Sequence, residues 1–313
     1  MGTNNKTVWP DLVFKNFKDT LATVHLWTQI VGKIRLRETP WINHSWHVTL
    51  KISPLGFTTG SIPYEDGMFQ IDFDFINDLL IISKSSGAVE KIKLYPRSVA
   101  NFYKEVFEKL ASMGIDATIY ASPNEVEPAI PFQEDEQHHS YDHSQIKLLW
   151  EALVLVHNVF LKFRAKFIGK CSPVHLFWGA FDLAVTRFSG RTAPKHPGGA
   201  PHIPLDVMQE SYSHEVSSCG FWPGSEEFPQ PVFYSYCYPM VPGFSEQNIA
   251  PSEAFFSNEM GEFMLTYDAV RQSENPEKML IKFLQSTYEA AAETGRWDRA
   301  ALECDFSSFE KHS

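Results

Sequence analysis

The same order of predicted elements occurs twice in the chain, and this repetition restricts the possible folds more than any other feature. In the first half, an apolar stripe over residues 19–37 predicts a helix, strands follow, and a second helix begins near Pro96. In the second half, residues 143–167 show helical spacing, strands follow again, and residues 276–294 predict a last helix. Each half is therefore predicted to contain a helix, several antiparallel strands and another helix.

We interpret this order as an internal duplication with an α+β fold, in which each half is an antiparallel sheet with helices packed on one face. The predicted boundaries are residues 1–121 for the first half, 122–141 for a surface linker rich in proline and acids, and 142–313 for the second half. A chain of 313 residues suits two such units. The two sheets are expected to pair with each other. Residue identity between the halves is low, so the interpretation depends on element order.

Charge and composition exclude several classes of partner. The net charge is −11 without a block of lysine or arginine, which argues against nucleic acid and against an anionic membrane surface. No apolar run approaches the roughly 18 residues of a membrane span, and the N-terminus lacks an apolar signal region. The four cysteines form no CxxC pair and suit a reducing compartment. We therefore expect a cytoplasmic protein, of an oligomeric state that the sequence leaves open.

The stretch from Lys170 to Arg191 carries the strongest functional pattern. The strand predicted over residues 43–53 alternates apolar and polar residues, and the later stretch breaks this alternation once, beside Gly179. We interpret the break as a β-bulge, which makes the stretch one irregular strand. One face of this strand would then collect His175, Phe177, Asp182, Ala184 and Thr186. The alternative is a strand whose solvent-facing side is simply polar.

These residues define the candidate catalytic groups. His175 and His214 are predicted to act as general acids or bases, with Asp182 in the same pocket. The two histidines and Asp182 would also satisfy a site for a divalent metal ion, although we favour neutral histidines over metal ligands. Arg187 and Arg191 close the stretch and could hold a carboxylate or phosphate group.

Further candidate ligand-binding residues lie in the loops and strands that follow. His196 and His202 flank Gly198 and Gly199, whose small size lets backbone approach a ligand closely; a stiff surface turn is the alternative. Glu215 follows His214 on a strand, so the two side chains are expected on opposite faces. Tyr236 is the middle residue of a tyrosine row that either packs in the core or lines a pocket of mixed polarity.

The chain also contains the motifs HLWTQIVGK, CSPVHLFWGAFDLAVTRFSGR, HPGG, SHEVSSCGFWPG, FYSYCYP and FLQSTYEAAA. Together they resemble a family of uncharacterised bacterial proteins that is catalogued only as a domain of unknown function. The resemblance extends over residues 9–302. It implies a bacterial, cytosolic, stand-alone protein, and it brings no activity, cofactor or catalytic residue.

Two functions from different classes are compatible with these observations. The first is an enzyme that acts on a small polar or anionic molecule in a His/Asp/Arg-lined pocket of the second half. The second is a non-catalytic protein that binds a small molecule in an aromatic-lined cavity. The chain lacks GxSxG, HExxH, a Walker sequence and GxGxxG after a strand, so no nucleophile or nucleotide motif decides between them.

Overall fold

A computed structural model describes residues 8–305, and its secondary structure consists of helices and two six-stranded sheets. The helices are α1 (Phe14–Glu38), α2 (Val99–Ser112), α3 (His143–Arg164), α4 (Leu205–Ser211), α5 (Tyr267–Gln272), α6 (Pro276–Thr294) and α7 (Arg299–Leu302). The first sheet contains β1 (Lys51–Ile52), β2 (Gly56–Thr58), β3 (Ile62–Tyr64), β4 (Gly67–Asp74), β5 (Leu79–Lys84) and β6 (Val89–Lys93). The second contains β7 (His175–Phe177), β8 (Asp182–Thr192), β9 (His214–Trp222), β10 (Val232–Tyr238), β11 (Phe255–Ser257) and β12 (Glu262–Thr266). The outer ends of the predicted halves, residues 1–7 and 306–313, lie outside the described residues.

Both sheets are antiparallel and are built largely as meanders. The first has the order β1-β2-β4-β5-β6, and β3 pairs with the first residues of β4, whereas β2 pairs with its last residues. The second has the order β7-β8-β9-β10-β12-β11. In each half one long helix precedes the sheet and another follows it. The fold is therefore α+β, as predicted, and the repeated order supports an internal duplication.

Apolar residues at helical spacing pack the long helices on one face of each sheet. Helix α6 begins at Pro276, where the Asn275 side chain accepts a hydrogen bond from the Lys278 amide and caps the first turn. It then buries Leu280, Phe283, Leu284, Thr287 and Tyr288. The apolar residues of both halves form one contiguous core. Among the described helices, none combines the length and apolar character required to cross a bilayer.

The two sheets meet edge to edge. The amide of Leu50 donates to the carbonyl of Leu176 at 2.9 Å, and the amide of Leu176 donates to the carbonyl of Leu50 at 2.8 Å. Both leucine side chains are fully buried. This mutual bridge pairs the two sheets, as predicted, and it satisfies backbone groups at an edge that would otherwise be open to other chains.

The predicted bulge beside Gly179 is wrong, because the chain reverses direction there. Residues 178–181 form the turn of a hairpin between β7 and β8, and Phe181 adopts a positive φ of 58°. The hairpin register places His175 opposite Ala184 and Phe177 opposite Asp182. Directly opposed residues project from the same side of an antiparallel pair. The predicted face is therefore found, but a turn creates it.

The strand predicted over residues 43–53 is also mostly wrong. Asn43–Ser45 is a short 3-10 helix, and only Lys51–Ile52 forms a strand. His44 and Ser45 both have positive φ angles, 58° and 56°, which an extended strand does not allow. The support for duplication therefore comes from element order alone.

The segment predicted as a linker, residues 122–141, packs closely against the first half. Phe132 and Asp135 are buried, with 0% and 1% of their surface exposed. The carbonyls of Asp135 and His138 accept hydrogen bonds from Ala100 and Val99, in the first turn of α2, where helical amides lack intrahelical partners. The lack of periodicity correctly indicated irregular structure but gave no information on burial. The division into halves at this segment stays a prediction.

Candidate functional site

The second sheet directs one face toward helices α3 and α6 and the opposite face toward two long loops. The loops are residues 121–131 and residues 193–212, the second of which includes the short helix α4. They are joined by a hydrogen bond from the Glu125 amide to the Pro201 carbonyl at 3.1 Å. The Tyr238 hydroxyl of β10 donates to the carbonyl of Pro194 at 3.0 Å, which fixes the second loop over the sheet. We call this side the loop-covered face. By strand register it carries Asp182, Thr186, Ser218, Tyr234, Tyr236 and Glu262.

Helix α1 of the first half holds the turn that leads into Asp182. The His25 Nε2 atom lies 2.9 Å from the Trp178 carbonyl and 2.8 Å from the Gly179 carbonyl. Both partners are acceptors, so Nε2 carries the proton and donates. Gln29, one turn further along α1, donates to the Gly179 carbonyl at 3.3 Å. A residue pair from one half therefore sets the position of a carboxylate in the other.

The Trp178 indole at this turn fills a cleft in α1. Its Nε1–H donates to the Val48 carbonyl at 2.7 Å, and the side chain is only 6% exposed. Gly32 opens the cleft, because a Cβ at that position would lie 2.2 Å from the indole ring. The Lys33 ammonium lies 5.5 Å from the ring centroid and adds a cation–π contact. The turn is therefore anchored by packing as well as by hydrogen bonds.

Three buried or half-buried carboxyl groups, which we call the carboxyl cluster, lie on the loop-covered side: Glu125, Asp182 and Glu262. They are near enough for the Asp182 charge to act on both glutamates. Burial raises the pKa of Asp182 to about 6, although the hydrogen bond from the Tyr234 hydroxyl opposes this shift. Burial, with the Asp182 charge as a second cause, raises the pKa of Glu125 and of Glu262 to about 7. Within residues 8–305, no basic side chain forms an ion pair with any of the three. Glu125 and Glu262 are therefore partly protonated at neutral pH, whereas Asp182 is mostly ionised.

Tyrosine side chains surround the carboxyl cluster. The Tyr234 hydroxyl reaches Asp182 across Gly220, where a Cβ would lie 2.3 Å from the phenol oxygen. The hydroxyls of Tyr212 and Tyr236 lie 2.8 Å apart, and the His196 ring stacks on Tyr212 at 4.5 Å. Burial raises the pKa of all three tyrosines, so their hydroxyls stay neutral. The Tyr234 proton is already donated to Asp182. One hydroxyl of the Tyr212–Tyr236 pair donates to the other, so the pair keeps one hydroxyl proton that can be donated to a polar ligand.

Replacing Glu125 with glutamine is expected to change the pH dependence of stability. The Glu125 pKa is about 7 in the fold instead of the usual 4.5, so between these values the folded state keeps a proton that the unfolded chain releases. This contribution to stability is present at low pH and is lost as the pH rises through 7. The unfolding free energy of Glu125→Gln minus that of wild type should therefore be about 2 kcal/mol larger at pH 8 than at pH 5. This value allows for the partial exposure of Glu125.

Urea unfolding of both proteins at the two pH values measures this difference. Glu134→Gln is the matched control, because Glu134 is exposed in the same segment. Parallel pH profiles for wild type, Glu125→Gln and Glu134→Gln would contradict the raised pKa.

His175 shares the loop-covered face with Asp182 but has different neighbours. Its ring contacts Phe177 at 4.6 Å between centroids, is 1% exposed, and finds no hydrogen-bond partner among the described residues for either nitrogen. Burial, followed by the charges of Arg35 and Lys51, lowers its pKa to about 3. Such a ring is a weak base at neutral pH, so the predicted acid/base role does not suit His175.

His214 lies at the other end of the second sheet. It pairs with Thr192, whereas Asp182 begins the same strand ten residues earlier. Its Nδ1 lies 3.1 Å from the Ser213 hydroxyl, and its ring lies 5.8 Å from that of His44. In the described part of the chain, no group of three or more His, Cys, Asp or Glu side chains is placed to hold a metal ion. The structure therefore does not assemble His175, His214 and Asp182, and a divalent metal ion stays a prediction.

Arg187 projects from the opposite face, so the prediction that it lines a pocket with Asp182 is wrong. It alternates with Thr186 along β8 and is 1% exposed. Its guanidinium lies 3.6 Å from the ring centroid of Phe163 and 4.3 Å from that of Tyr288. A cavity of about 490 Å³ opens on this side, lined by Lys166, Arg187, Gln285, Glu303, Cys304 and Asp305. The aromatic rings and the Phe163 carbonyl already hold Arg187, so we place the candidate site at the carboxyl cluster instead.

Arg191 and Glu215, both predicted to bind ligand, bind each other. The Arg191 guanidinium contacts the Glu215 carboxylate at 2.6 Å and donates to the Gly295 carbonyl at 2.5 Å. Glu215 also accepts a hydrogen bond from Ser189 at 2.8 Å. This arrangement attaches the end of β8 to the residues after α6, which is a structural role.

Of the remaining predicted residues, the structure brings two close to the carboxyl cluster. Tyr236 contributes its hydroxyl, and His196 stacks on Tyr212. His202 lies at the margin of the loops and pairs with Glu127 at 2.7 Å. The two glutamates of the cluster were missed. Glu125 lies in the predicted linker, and Glu262 is the first residue of a strand. An isolated acidic residue in either position forms no sequence motif that would identify it as part of a site.

Fold and site together define an α+β protein of two joined antiparallel sheets with a tyrosine-lined carboxyl cluster. The chain belongs to the family of unknown function DUF5996, whose model matches residues 9–304. This match confirms the resemblance drawn from the motifs, and a bacterial origin stays a prediction. No curated protein and no solved structure matches the chain.

Proposed function

We propose that this protein is an enzyme that uses the carboxyl cluster for general acid–base catalysis on a small polar molecule. The observation that supports the proposal is the placement of Asp182, Glu125 and Glu262, with pKa values of about 6, 7 and 7, on one side of the second sheet beside Tyr212, Tyr234 and Tyr236. A carboxyl group whose pKa is close to the operating pH can both accept and return a proton. Interacting carboxyls also titrate in steps, so one is protonated while another is ionised.

The environment of each group suggests its role. Asp182 has the lowest pKa of the three and accepts a hydrogen bond from Tyr234, so it is the proposed general base. Glu125 has the higher pKa and is the proposed general acid. The hydroxyls of Tyr212 and Tyr236 would bind the polar groups of the substrate. Repulsion by the carboxylates disfavours an anionic substrate, so we favour a neutral or cationic polar molecule.

A non-catalytic binding protein is the second candidate, and the packing of the aromatic rings supports it. Tyr212 lies 5.2 Å from Tyr238, and His196 lies 4.9 Å from Tyr238, between ring centroids. Aromatic surfaces of this kind suit a planar or partly apolar ligand. In this alternative, the carboxyl cluster would select the ligand without transferring a proton.

Incubation of the protein with uncharged polyols, amides and primary amines, followed by proton NMR, tests both candidates. An enzyme produces new signals from a converted compound. A binding protein broadens the signals of a compound that stays unchanged. If no compound of these classes is bound or converted, both proposals fail.

A bound divalent metal ion belongs to the enzyme proposal as an open prediction, although His175, His214 and Asp182 are not placed to hold it together. Elemental analysis of the purified protein tests it. We also propose a cytoplasmic location. All four cysteines are free, which suits a reducing compartment.

A further inference from the structure

Three side chains rich in nitrogen gather near the junction of the two sheets: Arg35 of α1, Lys51 of β1 and His175 of β7. Arg35 is 9% exposed, and its Nε donates to the His47 carbonyl at 2.5 Å. Its Nη1 is buried and has no hydrogen-bond partner among the described residues. Within residues 8–305, no acidic side chain forms an ion pair with Arg35 or with Lys51. A buried guanidinium is ordinarily paired, so its unused donor calls for an explanation.

Arg35 and Lys51 converge on one point beside Gly60. An ideal Cβ built on this glycine would lie 3.7 Å from Arg35 Nη1 and 4.0 Å from Lys51 Nζ. Apart from the chain neighbours of Gly60, no other described heavy atom comes within 4 Å of that position. The point therefore lies between two cationic nitrogens. Both distances are slightly longer than a hydrogen bond, so small movements of the two side chains would allow both nitrogens to donate to an atom placed there. Gly60 itself has a positive φ of 63°, which favours glycine at this position.

His175 supplies a second unpartnered group in the same region. Both ring nitrogens are buried without a hydrogen-bond partner in the described part of the chain, and the side chain is 1% exposed. A neutral imidazole always carries one N–H donor. Because burial, followed by the charges of Arg35 and Lys51, lowers its pKa to about 3, the ring remains neutral and adds no charge.

We propose that this junction binds a small oxyanion, a phosphate or carboxylate group, between Arg35 and Lys51. The anion would accept hydrogen bonds from Arg35 Nη1 and from the Lys51 ammonium. The neutral His175 ring would donate from the second sheet. Lys51 is exposed and marks the side from which the anion enters. This site is separate from the carboxyl cluster and does not depend on catalysis there.

Isothermal titration of the full chain with inorganic phosphate, and separately with acetate, tests the proposal. We expect wild type to bind at least one anion at a single site, and Lys51→Gln to bind it about tenfold more weakly, since one of two charged contacts is lost. Lys91→Gln is the matched control, because Lys91 is an exposed lysine of the same sheet. Tighter binding of phosphate or of acetate identifies the preferred group. If wild type binds neither anion, or if both variants bind like wild type, the proposal is overturned.

A second measurement locates the anion without depending on a variant of the buried arginine. In protein labelled with ¹⁵N-histidine, the ring signals of His175, assigned by their loss in His175→Phe, should shift saturably as the anion is added. The signals of His139, which is exposed in another segment, should not move. A His175 ring that is unaffected while heat of binding is observed would place the anion elsewhere and overturn the proposal.

Discussion

Asp182→Asn is expected to lower turnover at the carboxyl cluster by about 100-fold or more, the usual contribution of a general base. Asparagine has nearly the same shape and can still accept the hydrogen bond from Tyr234, so the fold should persist. It cannot take up a proton. Turnover of the compound identified by NMR screening, measured for wild type and variant, gives the ratio. Asp66→Asn is the control, because Asp66 is exposed in a turn of the first sheet.

The same variant provides a readout that does not require a known substrate. The Asp182 charge contributes to the raised pKa of Glu125 and of Glu262. Removing it should therefore lower both pKa values, and carbon-detected NMR titration of the glutamate carboxyls measures the change. If Asp182→Asn retains full turnover and leaves both glutamates unchanged, neither its catalytic role nor the carboxyl cluster is tenable.

Trp178→Ala is expected to reduce the unfolding free energy by about 3–5 kcal/mol, as is usual for deletion of a large buried aromatic side chain. The substitution leaves a void beside Gly32 and removes the hydrogen bond to the Val48 carbonyl. Urea unfolding of wild type and variant measures the loss. Trp41→Ala is the matched control, since Trp41 is 51% exposed and should cost little. Equal losses in the two variants would contradict the anchoring role of the Trp178 side chain.

The helices and the fold class were predictable because their signals are local. Apolar residues at helical spacing predicted 143–167 and 276–294, and α3 and α6 occupy His143–Arg164 and Pro276–Thr294. Residues 69–75 alternate between apolar and polar side chains, and most of them lie in β4. The repeat with which side chains return to one face is set by local backbone geometry. These elements could therefore be predicted without information on the rest of the chain.

The predictions that were wrong concern features that depend on backbone angles and on contacts between residues distant in sequence. The positive φ of Phe181 turns the chain after β7, and a phenylalanine is not a residue whose type announces such a turn. The His175/Asp182 face was still predicted, since a bulge and a reversal can direct the same residues to one side. Arg187 was misplaced because its aromatic neighbours Phe163 and Tyr288 come from helices that precede and follow the sheet.

The carboxyl cluster was beyond prediction from local patterns for a related reason. The Asp182 charge acts on Glu125, which lies in an irregular segment, and on Glu262 of β12, three strands away in the same sheet. Their raised pKa values result from burial under loops, which no spacing in the sequence reveals. Asp182 and Tyr236 were found because each lies in a strand with a clear alternation.

Helix α1 donates to the carbonyls of Trp178 and Gly179 through His25 and Gln29. A gene fragment that encodes only residues 142–313 would therefore produce a polypeptide whose β7–β8 turn has lost these donors and the cleft for its indole. Co-expression with the complementary fragment would have to restore them in trans. Split versions of this protein should regain ligand recognition only when the two pieces reassemble.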